Sequence, residues 1–308
     1  MIVAVGLNPA LDVTYEVAAL TPGTSHRVRS VRERPGGKAC NTARVLGHLS
    51  VEVALCGFAG GSRGARLRSA LAATAVKDRL TAVDGDTRQS VAVVDGRGVT
   101  VLNEPGPSIA LRDWEALLAD VDSALVGAQA VVLTGSAPPG APDDAWAQLV
   151  RLCHRHDVPS VLDTGGPQLL AALREQPTIA APNHHEAGEA LGTPLDDLDD
   201  VLASAGELSG RSGGAVVVSA GRAGLVAARD GRRWRVRPPR VLEGNPTGAG
   251  DALTAALVRG LAEGRDLPDT LADAVCLAAS AVVRPTAGEI DPATYRELRD
   301  VSEVEEVT

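Results

Sequence analysis

Apolar residues follow two rhythms along this chain. Residues 2–7 and 51–58 are continuous apolar runs, the pattern of strands buried on both faces of a sheet. Residues 12–18 and 26–33 instead alternate: Val13, Tyr15 and Val17, then His26-Arg27-Val28-Arg29-Ser30-Val31-Arg32. Alternation predicts strands with one wet face, which belong to a separate small sheet. Two further apolar runs, 88–94 and 98–103, flank Asp95-Gly96-Arg97, a hairpin signal that would complete that sheet. Beyond residue 110 the pattern predicts helix 111–125, strand 130–134, helix 142–156, strand 159–163 and strand 178–181. Helices 184–191 and 196–209, strand 215–219, hairpin 224–236 and helices 247–262 and 268–284 follow, and the acidic tail after Asp300 is expected to fray. Buried strands alternating with amphipathic helices predict an α/β fold, a doubly wound, mostly parallel sheet flanked by helices. One domain is expected over 1–308, with a small antiparallel β-sheet lid from about 12–33 and 88–103.

Composition narrows what such a fold would do. Aromatic residues are 2% of the chain, so base stacking on exposed rings is not expected, and the net charge of -9 argues against nucleic-acid and anionic-membrane surfaces. Lysine occurs only at Lys38 and Lys77. Cys40, Cys56, Cys153 and Cys276 form no C-x-x-C pair, which disfavours a zinc site or a disulfide framework. The first residues read as a strand rather than a signal peptide, and no apolar stretch reaches membrane-spanning length. A cytoplasmic protein is expected.

The candidate chemistry centres on Glu243-Gly244-Asn245-Pro246-Thr247-Gly248-Ala249-Gly250-Asp251, which runs straight into apolar helix formers. A small-residue turn at a helix N-terminus leaves backbone N–H groups free at the positive end of the dipole, a site suited to phosphate. Asp251, in the first turn, is placed to take a proton from an attacking hydroxyl, although an isolated motif of this kind is more often a capped helix whose first-turn Asp complements the dipole. A second glycine turn, Gly36-Gly37-Lys38-Ala39-Cys40-Asn41, also opens a helix. Lysine opposes the dipole there, so the scarce Lys38 suggests an anionic partner. Asp12 follows the first strand's carboxyl end, and Thr134-Gly135-Ser136, Asp163-Thr164, Asn183 and Ser219-Ala220-Gly221 follow later strands. All would lie along the edge where open α/β sheets bind ligands.

These motifs, with Pro182-Asn183-His184-His185-Glu186 and Ser219-Ala220-Gly221-Arg222-Ala223-Gly224, resemble the ribokinase-like (PfkB) carbohydrate kinases. Leu7-Asn8-Pro9-Ala10-Leu11-Asp12 and Asn103-Glu104-Pro105-Gly106-Pro107 resemble the branch of 1-phosphofructokinases and tagatose-6-phosphate kinases. The resemblance implies ATP-dependent phosphorylation of a hexose phosphate, fructose 1-phosphate or tagatose 6-phosphate. It implies Asp251 as general base and the amides of Gly248, Ala249 and Gly250 as the anion hole. Asp12, Gly36, Gly37 and Asn41 would hold the sugar, and Lys38, Arg88, Asn103, Ser136 and, from the lid, Arg27 would complete the substrate site. Thr247, Ser219, Gly221 and Gly224 would lie along the nucleotide, with Asn183 and Glu186 organising Mg2+ through water. Ala39, Cys40, Ala181 and Asn245-Pro246 depart from the family's usual residues. The lid implies a homodimer.

Alternatives remain open. A kinase of an unphosphorylated sugar or a nucleoside would share the motifs, and a non-catalytic sugar-binding module would need no Asp251. Gly135-Ser136 is not a nucleophile elbow, and Cys40 is read as a packed, inert thiol. His184-His185-Glu186 lacks zincin spacing, and its adjacent imidazoles are expected on different sides of a helix.

Overall fold

The computed structural model describes residues 1–307. In chain order its elements are β1 (Ile2–Gly6), β2 (Ala10–Glu16), β3 (Ser30–Gly36), α1 (Lys38–His48), β4 (Val53–Ala59), α2 (Gly61–Leu71), β5 (Val76–Ala82), β6 (Arg88–Asp95) and β7 (Gly98–Asn103). Then come α3 (Leu111–Leu125), β8 (Ala130–Thr134), α4 (Ala145–Arg155), β9 (Ser160–Asp163), α5 (Gly166–Leu173), β10 (Ile179–Ala180), α6 (His184–Leu191), α7 (Leu198–Ser212) and β11 (Ala215–Ser219). The chain ends with β12 (Leu225–Arg229), β13 (Arg232–Val236), α8 (Ala249–Ala262), α9 (Leu267–Val282), α10 (Pro292–Arg299) and β14 (Glu305–Val307).

The large sheet has the order β14-β13-β12-β11-β10-β9-β8-β1-β4-β5. Its strands are parallel from β11 to β5 and antiparallel from β11 to β14. Helices cover both faces, which is why the central strands carry no polar alternation. Ile2 and Ala4 of β1 pack into the core shared with α1, α8 and α9, whereas Val3 and Val5 enter the core shared with α3, α4 and α7. Among the described residues no helix is long and apolar enough to cross a membrane.

The small sheet has the order β3-β2-β6-β7. It is antiparallel within each ribbon, β2 with β3 and β6 with β7, while the central pair β2–β6 runs parallel. That pairing follows from the chain's path. β1 and β5 lie parallel within the large sheet, so β2 and β6, which continue them, both run outward in the same direction.

Three expectations change. Residues 26–29 are not strand: the β2–β3 register ends at Glu16↔Ser30, and beyond it Thr21, Thr24 and His26 close a local hydrogen-bonded turn. The tail does not fray through to residue 307, because β14 pairs with β13 and Glu306 meets Arg232 at 2.7 Å. The rings of His184 and His185 are not on different sides of α6; their centroids lie 3.9 Å apart.

Candidate active site

The loops at the carboxyl ends of the parallel strands meet the lid in one cleft. Its inner part, about 370 Å³, is lined by Asp12, Gly37, Lys38, Asn41, Arg88, Asn103, Asp163, Asn183, Glu186, Ser219, Thr247, Gly248, Gly250 and Asp251, among others. An adjoining cavity of about 720 Å³ shares Gly37, Lys38, Arg88 and Asn103 and adds Asn8, Ser136 and Gln168. The larger cavity does not reach Asp251, which lines only the smaller one.

Asp251 enters the cleft from the first turn of α8. The turn begins at Gly248, whose φ of +92° and contact with Ala287 leave no room for a side chain; a Cβ there would lie 2.8 Å from the Ala287 Cα. Among the described residues the Gly250 and Asp251 amides have no acceptor, whereas the Ala249 amide donates to Pro246 O at 3.2 Å. The free donors therefore include Asp251's own amide, and Ala249's is turned back into the loop. Asn41 Nδ2 donates to Asp251 Oδ2 at 2.8 Å. Burial pushes the Asp251 pKa up to about 7; the Asn41 hydrogen bond and Lys38 oppose that, and Asp163 and Asp12 add to it.

Asp12 stands on β2 at the base of the lid. Its carboxyl packs against Gly36, where a Cβ would fall 2.0 Å from Asp12 Oδ1, so Gly36 makes room for the acid. Burial raises the Asp12 pKa to about 6 against the lowering influence of Arg88 and Arg44. Gly37, at φ +89°, caps α1 and aims its first turn into the cleft. Arg88 Nε donates to Asn8 O at 2.9 Å, which leaves the guanidinium fork for a ligand. Asn8 Nδ2 reaches Pro105 O at 2.9 Å and Ser136 Oγ at 3.4 Å, and Ser90 Oγ donates to Asn103 Oδ1 at 2.8 Å.

Lys38 does have anionic partners, and they are the protein's own. Its ammonium lies 3.1 Å from Asp163 Oδ1 and 3.1 Å from Glu186 Oε1. Burial is the largest single influence and pulls the Lys38 pKa down, but the carboxylates, Asp163 first, together outweigh it and hold the pKa above its ordinary value. Asp163 is the residue that sequence reasoning placed at this edge without a role. Its signal was a carboxylate ending a buried apolar strand; Thr134 Oγ1 fixes its other oxygen at 2.7 Å.

Asn183 caps α6, and its Oδ1 accepts from the amides of His185 and Glu186 at 2.9 and 3.0 Å. Glu186 Oε2 returns to Asn183 N at 2.9 Å, completing a capping box. The Asn183 oxygen is thus used within the helix cap, which leaves the side-chain NH2 as its group for a ligand. The other oxygens, Glu186 Oε1 and Asp163 Oδ1, hold the Lys38 ammonium, so a magnesium ion would reach this pair only through water and beside that lysine.

On the outer side, Ser219 bridges to Asn183 as an isolated parallel pair. Gly221 starts a 3-10 turn with φ +57°, and Gly224 packs so tightly that a Cβ would lie 2.1 Å from Val236 O. Neither glycine lines the cavities, and Thr247 does. Arg27 is exposed on the lid loop and lines neither cavity. Cys40 is buried in α1 with its thiol pushed up to about 12 by burial, an unreactive packing residue.

A sequence model of the pfkB family carbohydrate kinases matches residues 1–294. A 1-phosphofructokinase of Rhodobacter capsulatus is 35% identical over 294 residues, covering 94% of this chain and 92% of its own. A 1-phosphofructokinase of Xanthomonas campestris pv. campestris is 34% identical over 265 residues, covering 84% and 83%. The crystal structure of phosphofructokinase-2 from Escherichia coli in complex with fructose-6-phosphate superposes with a TM-score of 0.86 at 25% identity, covering 97% of this chain and 98% of that one.

Proposed function

Because the chain belongs to the pfkB family of carbohydrate kinases, we propose that it transfers the γ-phosphoryl group of ATP to a hydroxyl of a hexose phosphate, fructose 1-phosphate or tagatose 6-phosphate. The observation that carries the reading is Asp251: a buried carboxylate at the mouth of α8, beside free amides, in one cleft with Arg88.

Asp12 and Asn41 orient the sugar, and the acceptor hydroxyl faces Asp251. Among the described residues Asp251 Oδ1, unlike Oδ2, has no donor, and it takes the proton as the hydroxyl oxygen attacks phosphorus. The γ-phosphorus bond to the bridging oxygen breaks, ADP departs, and the proton passes from Asp251 to solvent. The Gly250 and Asp251 amides, at the positive end of α8, stabilise charge on the migrating group. Mg2+, held through water by Asp163 and Glu186, would neutralise phosphate charge. Ser219 and Thr247 flank the nucleotide, with Gly221 and Gly224 shaping the loop behind it.

Arg88, Asn103 and Ser136 line the adjoining cavity and suit the substrate's own phosphate. Lys38 keeps one of its three N–H donors beyond the two carboxylates, enough for one phosphate oxygen at the junction of the cavities. The neutralisation of Lys38 by Asp163 and Glu186 favours a second reading, a kinase of a free sugar.

Exposed Val31 and Leu102 lie on the face of the lid opposite the cleft-lining Val101, which supports a homodimer through that outer face. Arg27 on the lid loop would then serve the partner's cleft rather than its own.

Coupled ADP release separates the substrates. Fructose 1-phosphate or tagatose 6-phosphate should be used at least about a hundredfold better, by kcat/KM, than fructose or a nucleoside. Exclusive use of unphosphorylated sugars would reject the phosphate site and favour the second reading.

A further inference from the structure

Three arginines converge on one carboxylate beneath the cleft. Glu289 lies between α9 and α10. Arg34 of β3 donates to Glu289 Oε1 and, at 2.8 Å, to Thr286 Oγ1. Arg284 donates to Glu289 Oε2 at 3.1 Å, and Arg44 of α1 stands 3.7 Å from Oε1. Burial raises the Glu289 pKa, but the hydrogen bonds from Arg284, Arg34 and Thr286 outweigh it and hold the carboxyl below its ordinary value. None of Arg34, Arg44, Arg284 and Glu289 lines the cleft.

The loop they grip is the support of the anion turn. Ala287 is the residue packed on Gly248, and Arg44 donates to Ala287 O at 3.1 Å. Gly288 lies under Asn41, where a Cβ would meet the Asn41 Cα at 3.2 Å. From the other side, Asn245 donates through its side chain to Pro285 O at 3.1 Å and through its backbone to Val282 O at 2.8 Å. A shift of this loop therefore shifts the Gly248 turn and the amides after it.

The opposite end of the link is the sugar site. Arg34 is the direct cross-strand partner of Asp12 in the β2–β3 ribbon. Cross-strand partners share a face of the sheet and move together. The lid ribbon thus carries both the sugar-binding acid and the arginine that reaches the loop.

We propose that the Arg34–Glu289 ion pair positions the anion turn: it ties the lid ribbon that seats the sugar to the loop beneath Gly248, so that sugar binding on Asp12 sets the Gly250 and Asp251 amides for phosphoryl transfer. The inference rests on the kinase reading above. Arg34 and Glu289 touch no reacting atom; they act through Ala287 and Gly248. A purely structural ion pair of this exposure would shift thermal stability slightly and leave the two regions uncoupled.

Arg34→Gln, Glu289→Gln and the double variant of the full chain test it. Each single change should lower kcat by about tenfold or more while sugar-phosphate Kd, measured by calorimetry without ATP, stays within about twofold; the double variant should be no worse than the worse single one. Arg34→Lys should recover part of the loss. Hydrogen exchange gives a readout independent of turnover. In the wild type, sugar phosphate alone should slow exchange in the lid and in residues 245–251 and 284–289; in Arg34→Gln it should slow exchange in the lid only. Unchanged kcat, additive losses, or the same protection pattern in Arg34→Gln would overturn the link. Glu289→Gln strands Arg44 and Arg284, so if it fails to fold, Arg34→Gln, which leaves both paired, decides. A wild type that binds hexose phosphate but phosphorylates no sugar rejects the kinase reading instead, and the exchange pattern still decides the link.

Discussion

Asp251 combines burial with a place at a helix N-terminus, and the two act oppositely on its charge: the desolvation of burial prevails, and its pKa rises to about 7. As a general base it must be ionised, so kcat/KM should climb with pH to a plateau with a midpoint near 7. Asp12, at about 6, must also be ionised to accept from a sugar hydroxyl, so the acid limb should steepen toward two protons below that pH. Stability should run the other way. A carboxyl whose folded pKa is raised binds its proton more tightly in the fold, so its contribution is complete in acid and fades as pH rises through about 7. Replacing Asp251 by Asn should accordingly match the wild type in denaturant unfolding only below the ordinary carboxyl pKa of 3.8, and exceed it by about 2–4 kcal/mol at pH 8. A variant less stable than the wild type at pH 8 would contradict this. Much of the site was legible at this scale, because glycine turns and strand-end carboxylates announce themselves locally. Lys38 was legible only in part. Its scarcity pointed to an anion, but that Asp163 and Glu186, far off in the chain, supply it depends on β9 ending and α6 beginning beside the start of α1. Asn183 reads as a ligand group or as a cap, and folding selects the cap for its oxygen.

α8 works as an element because its first turn is pinned from outside by Ala287. Gly248→Ala must force a φ of +92° on an L-residue and displace Ala287. It should destabilise the chain by about 1–3 kcal/mol and lower kcat by about tenfold to a thousandfold, with little change in sugar Kd by calorimetry. Equal losses in sugar affinity and kcat would place the turn elsewhere in the mechanism. The elements that escaped the hydrophobic pattern share a cause. β5 is the outermost strand on its edge and exposes Lys77-Asp78-Arg79, which guards that edge and erases the apolar signal. β14 reads as an acidic tail until it lies against the arginine-rich β13, a pairing set by charges 74 positions apart in Arg232 and Glu306. The alternation at 26–29 is genuine, but β2 stops at Glu16 and leaves it no partner. Where periodicity had a partner, as in α3, β8, α6 and β11, the boundaries in sequence and structure coincide.

The molecule as a whole is a doubly wound sheet whose carboxyl edge is covered by a ribbon pair with an apolar outer face. Leu102 is 61% exposed there and Val31 57%. If two lids clasp, light scattering should give a dimer mass for the wild type and a monomer mass for Leu102→Glu, whose buried charge would oppose the contact. A monomeric wild type at micromolar concentration would exclude the clasp. The proposed function rests on proton transfer to Asp251 at the head of α8. The most direct measurement of that step is the turnover of Asp251→Asn with ATP and the preferred sugar phosphate. The amide keeps an oxygen for Asn41 Nδ2 but cannot take a proton, so kcat should fall by about a thousandfold while sugar affinity holds. An Asp251→Asn enzyme that retains wild-type kcat would contradict the account at its centre.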